Sequence, residues 1–120
     1  DLIEKELKES NYDFERAKQA FKDDDYKWCI VKCYYSMFHS AKAVCFKLGF
    51  REKRHFAILI VLEDLNKKGK LEIKFINDFS AAIESRESAD YRYQYSRERA
   101  QNMLKIVQEF NQKMRILLKS

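Results

Sequence analysis

A chain of 120 residues, 46% hydrophobic and 36% charged, has the size of one domain built around a single core. Two glycines and no proline leave too little turn chemistry for a β-sandwich and favour helices. The net charge of +5 admits an anionic partner without requiring one, since many soluble proteins carry such a balance for solubility alone.

Ile3, Leu7, Phe14, Ala17 and Phe21 follow steps of three, four or seven, which predicts a first helix with one apolar stripe. The aspartates at 23–25 end it and also cap the next helix, because a carboxylate there accepts orphan amide hydrogens and complements the positive end of the dipole. The second helix runs from this cap to Gly49, a predicted left-handed stop. Apolar residues surround most of its circumference, so it is expected to be the most buried element, with Trp28, Tyr34, Tyr35, Phe38 and Phe46 as major contributors. One narrow polar strip remains: Lys32, Ser36, His39 and Ala43.

REKRH at 51–55 reads as a basic connection, and FAILIVLEDLNKK as a short third helix ended at Gly69. A fourth helix starts near Leu71 on the stripe Phe75, Ile76, Phe79 and Ile83, and its pattern fades near Ser85. From Ser96 a last helix carries Met103, Val107, Phe110, Met114 and Leu117 at steps of four and three. No linker divides these elements, so residues 1–120 are read as one domain. Short connections predict an all-α, antiparallel up-and-down helical bundle of four to five helices. The longest aliphatic run, AILIVL at 57–62, is far below the roughly 20 residues that span a bilayer. With no basic-then-apolar leader, a cytoplasmic protein without a membrane partner is expected.

In SRESADYRYQYS, at 85–96, Tyr91, Tyr93 and Tyr95 alternate with Arg92 and Gln94. In an extended segment three rings would face one way, where aromatics with arginine stack on bases and hold phosphates. The competing reading is that the rings wedge the last two helices apart and cover the core.

Cys29 and Cys33 lie one turn apart in an apolar stretch, with Cys45 further along, an arrangement better suited to reduced thiols than to a disulfide framework. No second Cys or His pair converges on them and His39, so no metal or other cofactor is expected. His39, beside Lys32 and Ser36, fits a catalytic or phosphate-contacting trio, a solvated edge, or a satisfied core histidine. His55 fits an exposed surface residue or an anion contact. Arg51, Lys53 and Arg54, then Lys67, Lys68 and Lys70, then Arg92, Arg97 and Arg99 sit at or near helix ends. They would either converge on one anion or serve as helix-terminal cations.

Taken together, DDDYKWCIVKCYYSMFHSAKAV and SRESADYRYQYS resemble the HEPN family of small helical-bundle proteins, over nearly the whole chain. The first stretch carries the resemblance in Tyr26, the Tyr34-Tyr35 pair, and Met37-Phe38-His39 followed by Ala41 and Ala43. The second carries it in Arg86 and Ala89-Asp90-Tyr91, while KRH at 53–55 is similar to a connection found in one branch. The resemblance implies a bundle of four or five helices, a homodimer with a cleft between protomers, and pairing with a minimal nucleotidyltransferase of toxin–antitoxin type. It also implies metal-independent ribonuclease chemistry on an arginine, a short polar spacer and a histidine, with a tyrosine two residues further on that accepts AMP.

On this sequence Arg86 takes the arginine position, Tyr91 stands where the histidine is expected, and Tyr93 falls at the modifiable tyrosine. Cleaving RNA through its 2′-hydroxyl needs a group that titrates near neutrality, as histidine does near 6.5. An unperturbed tyrosine is deprotonated in only about one molecule in a thousand at pH 7. A binding protein for nucleotide, RNA or the transferase is therefore expected, using Arg86, Arg92, Tyr93, His39, Lys32 and His55 as phosphate or nucleotide contacts. The rival readings are an active ribonuclease toxin using Arg86 and Tyr91, or a histidine supplied from another helix, and a purely structural dimerisation module.

Overall fold

The computed structural model contains five helices: α1 (Leu2–Lys22), α2 (Tyr26–Lys47), α3 (His55–Lys67), α4 (Ile73–Tyr91) and α5 (Arg97–Lys119). It describes residues 1–51 and 55–120, apart from the side chains of His55 and Phe56, and no strand occurs among the described residues. Lys53, Arg54 and the His55 side chain, all singled out above, lie outside the described residues.

Local chemistry sets the helix boundaries. Asp25 caps α2 by accepting the amide of Trp28 at 3.1 Å, and Asp24 turns the chain at φ 60°. Gly49 and Gly69 follow α2 and α3 at φ 93° and 73°, a backbone region open to glycine at no steric cost. Ser96 caps α5 through the amide of Arg99 at 3.1 Å. Helix α4 does not fade at Ser85 but continues to Tyr91. Its last turns bury the small residues Ser88 and Ala89 against the bundle, so they need no large apolar stripe.

The expected all-α bundle forms from two antiparallel hairpins, α1–α2 and α4–α5. The first is tied by Asp13–Lys32 and Glu6–His39, the second by Glu72–Lys113 and Lys74–Glu109. Helices α2 and α5 point the same way, so helix direction does not simply alternate along the chain. The guanidinium of Arg97, at the start of α5, lies over Phe21 beside the start of α2. At the far end Lys47 of α2 donates to the carbonyls of Leu117 and Leu118 of α5, at 3.3 and 2.6 Å. A cation on the last carbonyls of a helix also complements its dipole.

Helix α2 is the centre of the bundle, burying Cys29, Ile30, Cys33, Tyr34, Met37, Ala41 and Val44. Phe79 stacks on Phe110 at 5.6 Å and meets Tyr34 at 6.0 Å, joining α4, α5 and α2. Full burial of each such side chain contributes on the order of 1.5–3 kcal/mol. Trp28 is the exception to the expected core. It is 47% exposed and carries the ammonium of Lys32, one turn further along α2, at 5.0 Å from its ring.

The α1 face buried against α2 is more polar than its sequence stripe: Glu6, Ser10 and Asp13 are buried beside Ala17 and Ala20. Ser10 and Ser36 each donate to the other's backbone carbonyl at 2.8 Å. Asn111 of α5 donates to Ser36 at 2.9 Å and accepts from Ser40 at 2.6 Å. Small hydroxyl residues let the three helices approach closely, and their hydrogen bonds offset the burial of polar groups.

Candidate functional site

Arg86 lies on the penultimate turn of α4 and reaches across to α2. Its Nη2 donates to the phenol of Tyr35 at 3.1 Å, and its guanidinium carbon stands 5.5 Å from the Tyr35 ring centre and 5.8 Å from those of Tyr34 and Tyr91. Three aromatic rings thus frame one planar cation, a favourable arrangement for both charge and stacking. The frame is anchored in the core, since Tyr34 packs edge-on against Tyr35 at 5.2 Å and against Phe79 at 6.0 Å. Helix packing therefore sets where Arg86 sits.

One turn later Asp90 brings Oδ2 to 3.3 Å from Arg86 Nε. The contact is electrostatic only: Nε is buried without a hydrogen-bond partner. Nη1 has no hydrogen-bond partner among the described residues. The side chains of Arg86 and Asp90 are 19% and 27% exposed, so the pair is covered on most sides but open on one.

The structure joins Arg86 and Tyr91 but places Arg92, Lys32 and His39 apart from them. Arg92 ends α4 on its other flank, its Nη1 3.5 Å from the Ser88 hydroxyl and its side chain beside Leu59 and Glu87. Lys32 and His39 sit in the α1–α2 seam. Lys32 pairs with Asp13 at 3.1 Å, while His39 Nδ1 lies 2.7 Å from Glu6 and Nε2 3.6 Å from Asp13. Lys42 adds a 3.4 Å contact to Glu6. The seam is thus a five-membered polar network with two carboxylates among three basic side chains, and both named residues already have carboxylate partners within this chain.

The tyrosine segment is not extended. Tyr91 closes α4 and Tyr93 adopts φ 54°, a left-handed conformation unusual for a bulky residue. The rings therefore do not line up on one face by simple alternation. Nor do they cover the core: Tyr91 is 70% exposed and Tyr93 74%. Lys27, on the first turn of α2, stands 5.2 Å from the Tyr93 ring centre. Beside this loop the phenol of Tyr26 donates to Asp24 at 2.8 Å, a bond that raises its pKa above the usual tyrosine value, with Arg97 opposing.

Among the described residues the basic groups do not converge on one ligand. Arg97 lies by the start of α2 and Arg92 beside Leu59 of α3, whereas Lys70 borders a cavity of about 420 Å³ with Val44 and Lys47 at the end of α2. About 20 residues of helix, or roughly 30 Å, separate the two ends. All three cysteines are free and buried, and burial pushes the Cys45 thiol up to about 11. Among the described residues no group of three or more His, Cys, Asp or Glu side chains is arranged to hold a metal ion. No helix among them is long and apolar enough to cross a membrane.

Sequence reasoning picked out Arg86 and Tyr91 but missed two partners. Asp90 was legible, because residues four apart on a helix face each other. Tyr35 was not, since its contact spans 51 residues between helices whose relative placement only the packed core defines.

The family model for the HEPN domain matches residues 3–117. A candidate toxin from Methanocaldococcus jannaschii is 23% identical over 90 residues, which are 74% of this chain and 61% of that protein. A UPF0332 protein from Archaeoglobus fulgidus is 28% identical over 115 residues, 94% of this chain and 92% of its own length. The chain thus spans less than two thirds of the first relative and nearly all of the second.

Proposed function

The chain belongs to the HEPN domain family, and from that premise we propose that it binds the phosphate of a nucleotide or RNA at Arg86, with little ribonuclease turnover of its own. The observation that carries this reading is a guanidinium framed by three tyrosines, with Nη1 lacking a protein partner among the described residues and a phenol, Tyr91, where proton transfer would need an imidazole. A guanidinium holds phosphate well because its planar fork matches two oxygens at once. A phenol is poorly suited to trading protons at neutral pH, and loss of a general acid–base group typically lowers rates by about 10²–10⁴.

The kinship with a candidate toxin supports a toxin–antitoxin setting. In it the chain pairs with itself across a cleft that holds Arg86 and meets a nucleotidyltransferase that places AMP on Tyr93. Exposure of the Tyr93 ring on a turn supports that assignment. The test is incubation of purified protein with RNA in EDTA, beside an RNA-binding titration, for wild type and Arg86→Ala. Binding that depends on Arg86 with no cleavage above background is expected. Arg86-dependent cleavage would establish the ribonuclease reading instead, and indifference of both assays to Arg86→Ala would leave the structural-module reading.

A further inference from the structure

Arg86 already faces an anion of its own chain, and the geometry of that contact bears on which ligand it accepts. Tyr35 orients the guanidinium, through a hydrogen bond of 3.1 Å and a ring 5.5 Å away. Asp90 does not: its 3.3 Å approach to Nε lacks hydrogen-bond geometry, and Nε is left buried without a partner. Asp90 cancels charge without fixing position. Tethered four residues away on the same helix, it acts at a high effective concentration, in the way a linked ligand does.

We infer that Asp90 is an internal competitor that makes the Arg86 site selective for phosphate monoesters, such as a nucleotide 5′-phosphate or a phosphorylated RNA end, over internal phosphodiesters. The inference rests on the anion-binding reading of Arg86. An internal phosphodiester carries one negative charge, so replacing Asp90 with it gains no charge balance. A phosphomonoester carries about −1.5 to −2 at pH 7 and offers three oxygens, so it can displace the carboxylate from Nε and accept from that edge of the guanidinium.

The test is fluorescence anisotropy with a labelled single-stranded oligouridylate decamer bearing either a 5′-phosphate or a 5′-hydroxyl. Wild type should prefer the phosphorylated form by roughly tenfold, the scale of one added charge-assisted contact. Asp90→Asn, nearly isosteric, should bind the hydroxyl form more tightly and reduce the preference to about twofold or less. Arg86→Ala should bind neither form well. A second arm needs no variant: adenosine 5′-monophosphate should displace the probe from wild type at concentrations where the 3′,5′-cyclic monophosphate does not.

Equal binding of both ends by wild type, or equal displacement by the two nucleotides, would overturn the inference. So would an Asp90→Asn protein that binds more weakly while keeping its preference, since that would make Asp90 a positioning residue. If these failures come with binding still lost in Arg86→Ala, the Arg86 reading stands and only the selectivity falls. If Arg86→Ala binds like wild type, or wild type binds neither form, the Arg86 reading itself falls and takes the inference with it.

Discussion

The guanidinium of Arg86 donates at 3.1 Å to the phenol of Tyr35, joining the end of α4 to the middle of the central helix. Tyr35 is itself braced by Tyr34, and Tyr34 by Phe79, so the direction of Arg86 follows from core packing. A preset cation binds an anion without first losing side-chain freedom, which is the advantage of preorganisation.

Tyr35→Phe keeps the ring and removes the acceptor. RNA or nucleotide binding should weaken about twofold to tenfold, the effect of one modest hydrogen bond, while the melting temperature changes little. A titration paired with a thermal melt checks this, and unchanged affinity would show that the phenol plays no part in aiming Arg86.

Tyr91→His supplies the imidazole that the family resemblance leads one to expect, at a ring position 5.8 Å from the Arg86 guanidinium. RNA cleavage in EDTA should rise by about 10²–10⁴ over wild type, the usual contribution of a placed general acid–base group. The gain should vanish in the double variant with Arg86→Ala. No gain in gel-resolved cleavage would mean that the rest of this site cannot support the reaction.

If a small nucleotidyltransferase is encoded beside this chain, co-expression with it should add AMP to Tyr93, read as a mass increase on the tryptic peptide that carries it. Tyr93→Phe should remove the label. Modification confined to Tyr12 or Tyr26 would show that the exposed turn at φ 54° is not what the transferase reads.

The seam of α1, α2 and α5 makes a separate prediction about stability. Asn111→Ala removes one hydrogen bond to Ser36 and one from Ser40 in a buried place. Urea unfolding should lose about 1–3 kcal/mol, since buried hydroxyls are left with fewer partners. A loss near zero would mean that water or side-chain movement replaces Asn111.

The sequence was most legible where one residue type has one local meaning. Gly49, Gly69, Asp25 and Ser96 mark helix ends by backbone conformation or capping, and the structure uses each in that way. It misled where a pattern had two physical solutions. Trp28 looked like core, but an indole one turn before Lys32 can instead lie under its ammonium. The alternating tyrosines suggested an extended strip, but α4 keeps its helical hydrogen bonds to Tyr91 and Tyr93 adopts a left-handed conformation. His39 fitted a catalytic strip, a solvated edge or a satisfied core histidine, because its partners Glu6 and Asp13 lie on another helix.

The most direct test of the Arg86 reading is the salt dependence of single-stranded RNA binding for wild type and Arg86→Ala. Each neutralised phosphate contributes a slope of about −0.7 in log affinity against log salt. Wild type should bind more tightly, and its slope should be steeper than that of the variant by about that amount. Coincident affinities and parallel lines would show that Arg86 holds no phosphate.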